Sequence, residues 1–122
     1  MQNGELFFIA VREEAKSEKV LGFSSYRFVE GKHRTAVYVR GSAARIGVGK
    51  ALFDSAEAAA KERGATEIHV DAALGAVKFY KACGFEELSA GQHRLGNGVL
   101  MDCVFMKKKI GPITHGLEQS RI

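Results

Sequence analysis

The 122-residue sequence has no tryptophan, one proline and two cysteines, and each scarcity narrows what the chain can be. Cys83 and Cys103 form neither a C-x-x-C pair nor a metal-ligand cluster with the four scattered histidines, His33, His69, His93 and His115. Two buried, reduced thiols and no metal are the expectation. The sole proline, Pro112, opens a polar tail, so nothing resembles a linker between two domains. The longest near-continuous apolar run, Leu6 to Val11, is far short of the roughly 20 residues of a membrane helix. No charged leader precedes a small-residue cleavage site, and a cytoplasmic protein is expected. Nor is there a run of five basic residues. The densest patch, Lys107-Lys108-Lys109, reads as the solvated end of a strand.

What remains is the composition of one ordinary globular domain, 46% hydrophobic and 26% charged. Its net charge of +4 suits a polyanionic ligand, although nucleic acid would want a basic face interleaved with aromatics, which these scattered charges do not supply.

Residues 5–12 are rich in strand formers and run into the charged stretch Glu13 to Lys19, which reads as a turn. Val20 to Val29 predicts a second strand, and Gly31-Lys32 a hairpin-like break before a third, His33 to Arg40. The period then changes. Val48, Ala51, Leu52, Ser55, Ala56, Ala59 and Ala60 follow the spacing of an amphipathic helix, with Lys50, Asp54, Glu57, Lys61 and Glu62 opposite, Glu57 and Lys61 at pairing distance, and Gly64 as its stop. Thr66 to Ala72 predicts a strand parallel to the one before the helix. A shorter helix from about Gly75 to Cys83 stops at Gly84, and Phe85–Ser89 and Val99–Lys107 predict two last strands around the turn Gly96-Asn97-Gly98. The expected fold class is α/β, a mixed and mostly antiparallel sheet of about six strands in the order βββαβαββ.

The stretch Ala44-Arg-Ile-Gly-Val-Gly-Lys-Ala-Leu-Phe53 joins the third strand to the first helix. A dinucleotide loop would want glycine where Leu52 stands, and a Walker A loop would want glycine at Ala44 and Ser or Thr at Ala51. Gly47 and Gly49 instead enter a helix whose first amides lack partners within the helix. Those amides and the helix dipole favour a pyrophosphate, and missing side chains let it approach. Loop flexibility would explain the same glycines.

Residues 72–87, with Phe79-Tyr80 four residues ahead of Gly84-Phe85, add a second pattern. With both in place the chain resembles the GNAT superfamily of CoA-dependent N-acyltransferases over roughly residues 5–109. The family's phosphate motif, Gln/Arg-x-x-Gly-x-Gly/Ala, is matched at both glycines of residues 44–49. Its later motif is matched at Phe79-Tyr80 and Gly84-Phe85. Ala44 departs from the usual Gln or Arg, with Arg45 adjacent; Gly75 stands where many members have Asn, and Ala73 where Ser or Asn is frequent.

The resemblance implies a GNAT-like fold whose parallel pair splays apart, with acetyl-CoA as co-substrate and an amine of a small molecule or protein as acceptor. It implies cofactor contacts from Tyr38, Val39 and Arg40, from Ala44, Arg45, Ile46, Gly47, Val48, Gly49, Lys50 and Ala51, and from Gly75 and Phe79. The gap would fall between Tyr38–Arg40 and Asp71–Ala73, with amides near Val39 polarising the thioester oxygen. Tyr80 takes the family position of the general acid. A phenol of pKa about 10 can share a proton with a thiolate whose conjugate acid lies near about 8.5. Glu30, His33 and Asp71 are the residues considered as base, none compelling.

Family members usually carry a strand and one or two helices ahead of residues 5–12, forming much of the acceptor wall. The chain is therefore expected to be a truncated domain over residues 1–110 with a polar tail, 111–122. An open first strand invites pairing, so a homodimer is expected. A CoA-binding or structural protein lacking acceptor selection is the competing function. Acceptor choice would lie partly in the loop Ala90 to Gly98.

Overall fold

The computed structural model describes residues 5–14, 17–40 and 47–110. Six strands and two helices follow one another as β1 (Leu6–Glu14), β2 (Ser17–Val29), β3 (Lys32–Val39), α1 (Val48–Glu62), β4 (Glu67–Ala73), α2 (Val77–Ala82), β5 (Glu86–Arg94) and β6 (Leu100–Lys109). The order is the expected one. The sheet runs β1-β2-β3-β4-β6-β5, antiparallel except for the pair β3 and β4.

Alternation along the strands sorts side chains to two faces. Tyr26, Val37, Ile68, Val70, Ala72 and Met106 turn toward the helices, and with Phe53, Tyr80 and Phe85 they make the core. Helix α1 buries Gly49, Leu52, Phe53, Ala56, Ala59 and Ala60. The buried stripe is thus rotated from the expected one: Phe53, absent from the expected face, is 1% exposed, whereas Ala51 is exposed. The rotation follows from what the helix must cover, since Phe53 meets Phe85 edge-on at 5.4 Å, under the far end of the sheet. It also redirects Glu57, which pairs with Lys108 at 2.8 Å rather than with Lys61. Ser24 Oγ donates to the Leu52 carbonyl at 2.8 Å and ties α1 to β2.

Three boundaries differ from the sequence reading. Strands β1 and β2 occupy most of the stretch read as a turn, because their backbones stay paired as far as Glu14↔Ser17. Strand β5 continues past Ser89 to Arg94, where it pairs with Leu100, which shrinks the expected loop 90–98. Exposed on most of its length, β5 has no apolar alternation to announce it. The expected start of the second helix at Gly75 is a 3-10 turn, Leu74–Ala76, which leads into α2.

Both helices stop as expected, and the reason is visible. Ala65 N–H donates to the Ala60 carbonyl and Gly64 N–H to Lys61, with Gly64 at φ 82°. Phe85 N–H likewise donates to Tyr80 and Gly84 N–H to Lys81, with Gly84 at φ 103°. These are the paired bonds of a helix end whose left-handed residue is glycine. Among the described residues no helix is long and apolar enough to cross a membrane. The two cysteines are free and buried, as expected.

Candidate active site

Strands β3 and β4 pair at one step, Arg34↔His69. Beyond it they part, and the opening is filled from the helix side by Tyr80. Its hydroxyl accepts the Val37 amide N–H at 3.0 Å. That amide has lost its strand partner, so a phenol oxygen replaces the missing ladder carbonyl.

Tyr80 is held on three sides. The Gly84-Phe85 turn closes on its carbonyl, Phe85 packs edge-on against its ring at 5.3 Å, and Phe79 does the same at 5.1 Å. This gives the Phe-Tyr-x-x-x-Gly-Phe spacing a physical reason, for the glycine ends the helix and the second phenylalanine braces the tyrosine. Burial pushes the phenol up to about 12, with the bond from Val37 acting in the opposite direction. The hydroxyl therefore keeps its proton at neutral pH, and because it accepts from Val37 its own O–H is left to donate.

Beside it runs a groove of about 420 Å³ lined by Val37, Val39, Gly47, Gly49, Lys50, Gly75, Ala76 and Phe79. Seven of these eight are apolar or glycine; six of the eight, Val39, Gly47, Gly49, Lys50, Gly75 and Phe79, are sequence-predicted residues. The floor is the end of β3 and one wall is the first turn of α1. The Ala51 N–H is the first of α1 to bond within the helix, to the Gly47 carbonyl at 3.1 Å, so the amides ahead of it are without intrahelical partners.

The two motif glycines do different work. Gly47 sits at φ 79° with open space where a Cβ would be, so it serves the backbone turn into the helix. At Gly49 a Cβ would lie 2.9 Å from the Phe79 ring and 3.2 Å from Val39. Its bareness lets α1, α2 and β3 close together, and the ring of Phe79 takes the space a side chain would need.

The other predicted residues divide. Val48 lies in the first turn and Ala51 is exposed on the flank facing β1, where both line a separate groove of about 630 Å³. Lys50 Nζ is paired with Asp54 at 2.9 Å along the helix. Arg40 Nε donates to the Val20 carbonyl at 2.8 Å. Tyr38 points to the opposite face of the sheet, tilted against Phe23 at 5.0 Å, so only its backbone borders the opening. Gly75 lies at the groove with open space around its Cα. Ala44, Arg45 and Ile46 lie outside the described residues.

Of the three residues considered as base, His33 bonds Tyr26 at 2.7 Å and Glu30 is a turn residue at φ 54°. Asp71 is held between Arg34 at 2.6 Å and His93 at 3.0 Å, on the face away from the helices. The sequence reading missed Phe53, Phe85 as a brace, the Val37 amide and His93. Only Phe85 had a signal, its place in the motif.

A mixed sheet with one diverging parallel pair, a tyrosine hydroxyl in the divergence and a glycine-entered helix beside it defines an acyl-CoA N-acyltransferase fold. The sequence profile described as acetyltransferase (GNAT) domain matches residues 1–110, and the chain belongs to that family. Solved structures agree. A GCN5-related N-acetyltransferase from Rhodopseudomonas palustris superposes with a TM-score of 0.71 at 27% identity, over 88% of this chain and 62% of that one. An acetyltransferase of the GNAT family from Staphylococcus aureus gives 0.71 at 19%, over 88% and 69%. A phosphinothricin acetyltransferase from Sinorhizobium meliloti, solved in complex with AcCoA, gives 0.69 at 20%, over 89% and 63%. The chain thus spans somewhat under two thirds of the first and third of these. A comparison with curated protein sequences finds no match.

Proposed function

We propose that the chain is an N-acetyltransferase that moves the acetyl group of acetyl-CoA directly to an amine of a small molecule or protein. The observation that carries this reading is the Tyr80 hydroxyl, bonded to the Val37 amide inside the opening between β3 and β4 and next to the groove. The family and the AcCoA complex of the Sinorhizobium relative support the choice of co-substrate.

The groove's chemistry fits such a substrate. Amides at the start of α1 that have no partner within the helix suit a pyrophosphate, with Arg45 and Lys50 as basic helpers once Lys50 leaves Asp54. The apolar stretch of Val37, Val39, Ala76 and Phe79 suits a pantetheine arm. The amide of Val39 or a neighbour polarises the thioester oxygen, and Tyr80 protonates the departing thiolate. With the phenol pushed up to about 12 and the thiol near about 8.5, full transfer to a free thiolate is uphill, so Tyr80 donates its O–H to the sulfur as charge develops and passes the proton on only as the amine nitrogen's second proton replaces it.

Tyr80→Phe tests the assignment. Turnover should fall by about 100-fold or more, the usual span of one acid-base group, with acetyl-CoA affinity changed little. Turnover equal to the wild type would remove Tyr80 from the reaction. Binding of acetyl-CoA with no turnover by the wild type on any amine would favour the alternative, a CoA-binding protein without transfer.

A further inference from the structure

The sheet face turned away from α1 and α2 holds a cavity of about 220 Å³ whose polar residues form one network. Arg34 of β3 donates to Asp71 Oδ1 of β4 at 2.6 Å, and Nδ1 of His93 on β5 lies 3.0 Å from Asp71 Oδ2. The Arg34–Asp71 pair clips the two parallel strands together just past their one paired step. A carboxylate can only accept, so Nδ1 carries the proton and the lone pair of the neutral ring is left on Nε2.

The position of this dyad matters. Ala36 and Tyr38 line the cavity, and between them in β3 stands Val37, whose amide holds the Tyr80 hydroxyl from the other face. The imidazole and the phenol thus approach the same diverging stretch of backbone from opposite sides. One stands beside the groove on the helix face, the other at the cavity on the opposite face. His93 is also 38% exposed, open enough to exchange protons with solvent.

We propose that His93, oriented by Asp71, is the base that deprotonates the acceptor ammonium, and that the amine enters through this second cavity. The proposal rests on the acetyl-transfer reading above. The ammonium gives one proton to His93 Nε2, which passes it to solvent. The free amine attacks the thioester carbonyl carbon, a C–N bond forms and the C–S bond breaks. The thiolate takes the Tyr80 proton, and the second proton lost by the amine nitrogen restores Tyr80, so one proton is released per acetyl transferred. The titratable groups that line the cavity with the imidazole are Asp71, Arg34, Arg27 of β2, Glu5 ahead of β1 and the Tyr38 phenol; His69 of β4 and Cys103 of β6 share that sheet face, and Asp102 of β6 is engaged by Gln92. Asp71 is a positioning residue here.

The test compares the full-length wild type, His93→Gln and Asp71→Asn, using CoA thiol release with a panel of primary amines from pH 6 to 9.5 and acetyl-CoA titration by calorimetry. His93→Gln should lose about 100-fold or more in kcat/KM near neutrality, keep its acetyl-CoA affinity, and recover as pH nears the acceptor's own pKa. Asp71→Asn should lose less than His93→Gln and keep its acetyl-CoA affinity. Nitrogen NMR of the wild-type imidazole should show the Nδ1–H tautomer, reduced in Asp71→Asn. A His93→Gln profile that is undiminished, or lowered equally at every pH, overturns the base while leaving acetyl transfer standing. The Nε2–H tautomer in the wild type overturns it as well. A wild type that binds acetyl-CoA yet turns over no amine overturns both readings.

Discussion

Tyr80 couples the fold to the proposed chemistry, and its titration should be visible in stability. Its folded-state value is raised from 10.0 to about 12, so the folded state favours the neutral phenol. The stabilisation is complete below about pH 10 and is lost as pH rises through about 12. Urea denaturation across pH 9 to 12 should show the decline, and Tyr80→Phe should flatten it; an equal slope in the variant would mean other groups dominate. At the same scale, Gly47 and Gly49 look alike in the sequence and differ in the structure. Gly47→Asn, which tolerates the left-handed region, should fold nearly as well as the wild type, whereas Gly47→Val should cost about 1–2 kcal/mol. Gly49→Val should cost about 1–3 kcal/mol by overpacking against Phe79. Thermal melts distinguish the three. The motif named both glycines, yet which one serves the backbone and which the packing depends on where Phe79 lands, thirty positions away.

Among the elements, α1 was the plainest in the sequence, since its alanines and Leu52 keep a helical period and Gly64 ends it. Its rotation was hidden, because small residues on either side of the true stripe satisfy the same period. Phe53 decides it, wedged between Phe85 and the Lys108 ammonium, which stands 5.1 Å from the ring centroid. Phe53→Ala should destabilise the fold by about 3–5 kcal/mol, whereas Ala51→Ser, on the exposed flank, should stay within about 0.5 kcal/mol. Denaturant midpoints check both. Strand β5 was only half legible, since an edge strand exposed on both faces lacks the alternation that marks a half-buried one. His93 lies in that half, and its partner Asp71 is 22 positions away, so nothing local could join them.

For the molecule as a whole, the parallel pair followed from the order of elements, with the helix-bearing connection placing β4 alongside β3, whereas the position of β6 between β4 and β5 was not read from the sequence. The surface did not follow. Among the described residues strand β1 is a sheet edge, and on the face away from the helices Phe7 is 57% exposed, Ile9 63% and Tyr38 60%, beside Phe23. Such a patch beside an open edge suits pairing with a second copy, the expectation raised from sequence. Light scattering at micromolar concentration should give twice the 13.3 kDa chain mass, and Ile9→Lys should return it to one. Acetyl transfer as proposed requires the groove and Tyr80 to act together. Acetyl-CoA binding and amine-dependent thiol release, measured together on the wild type and Tyr80→Phe, test it most directly. Both proteins should bind acetyl-CoA alike, and the variant should release thiol about 100-fold or more slowly. Equal release by the two, or no binding by the wild type, would contradict it.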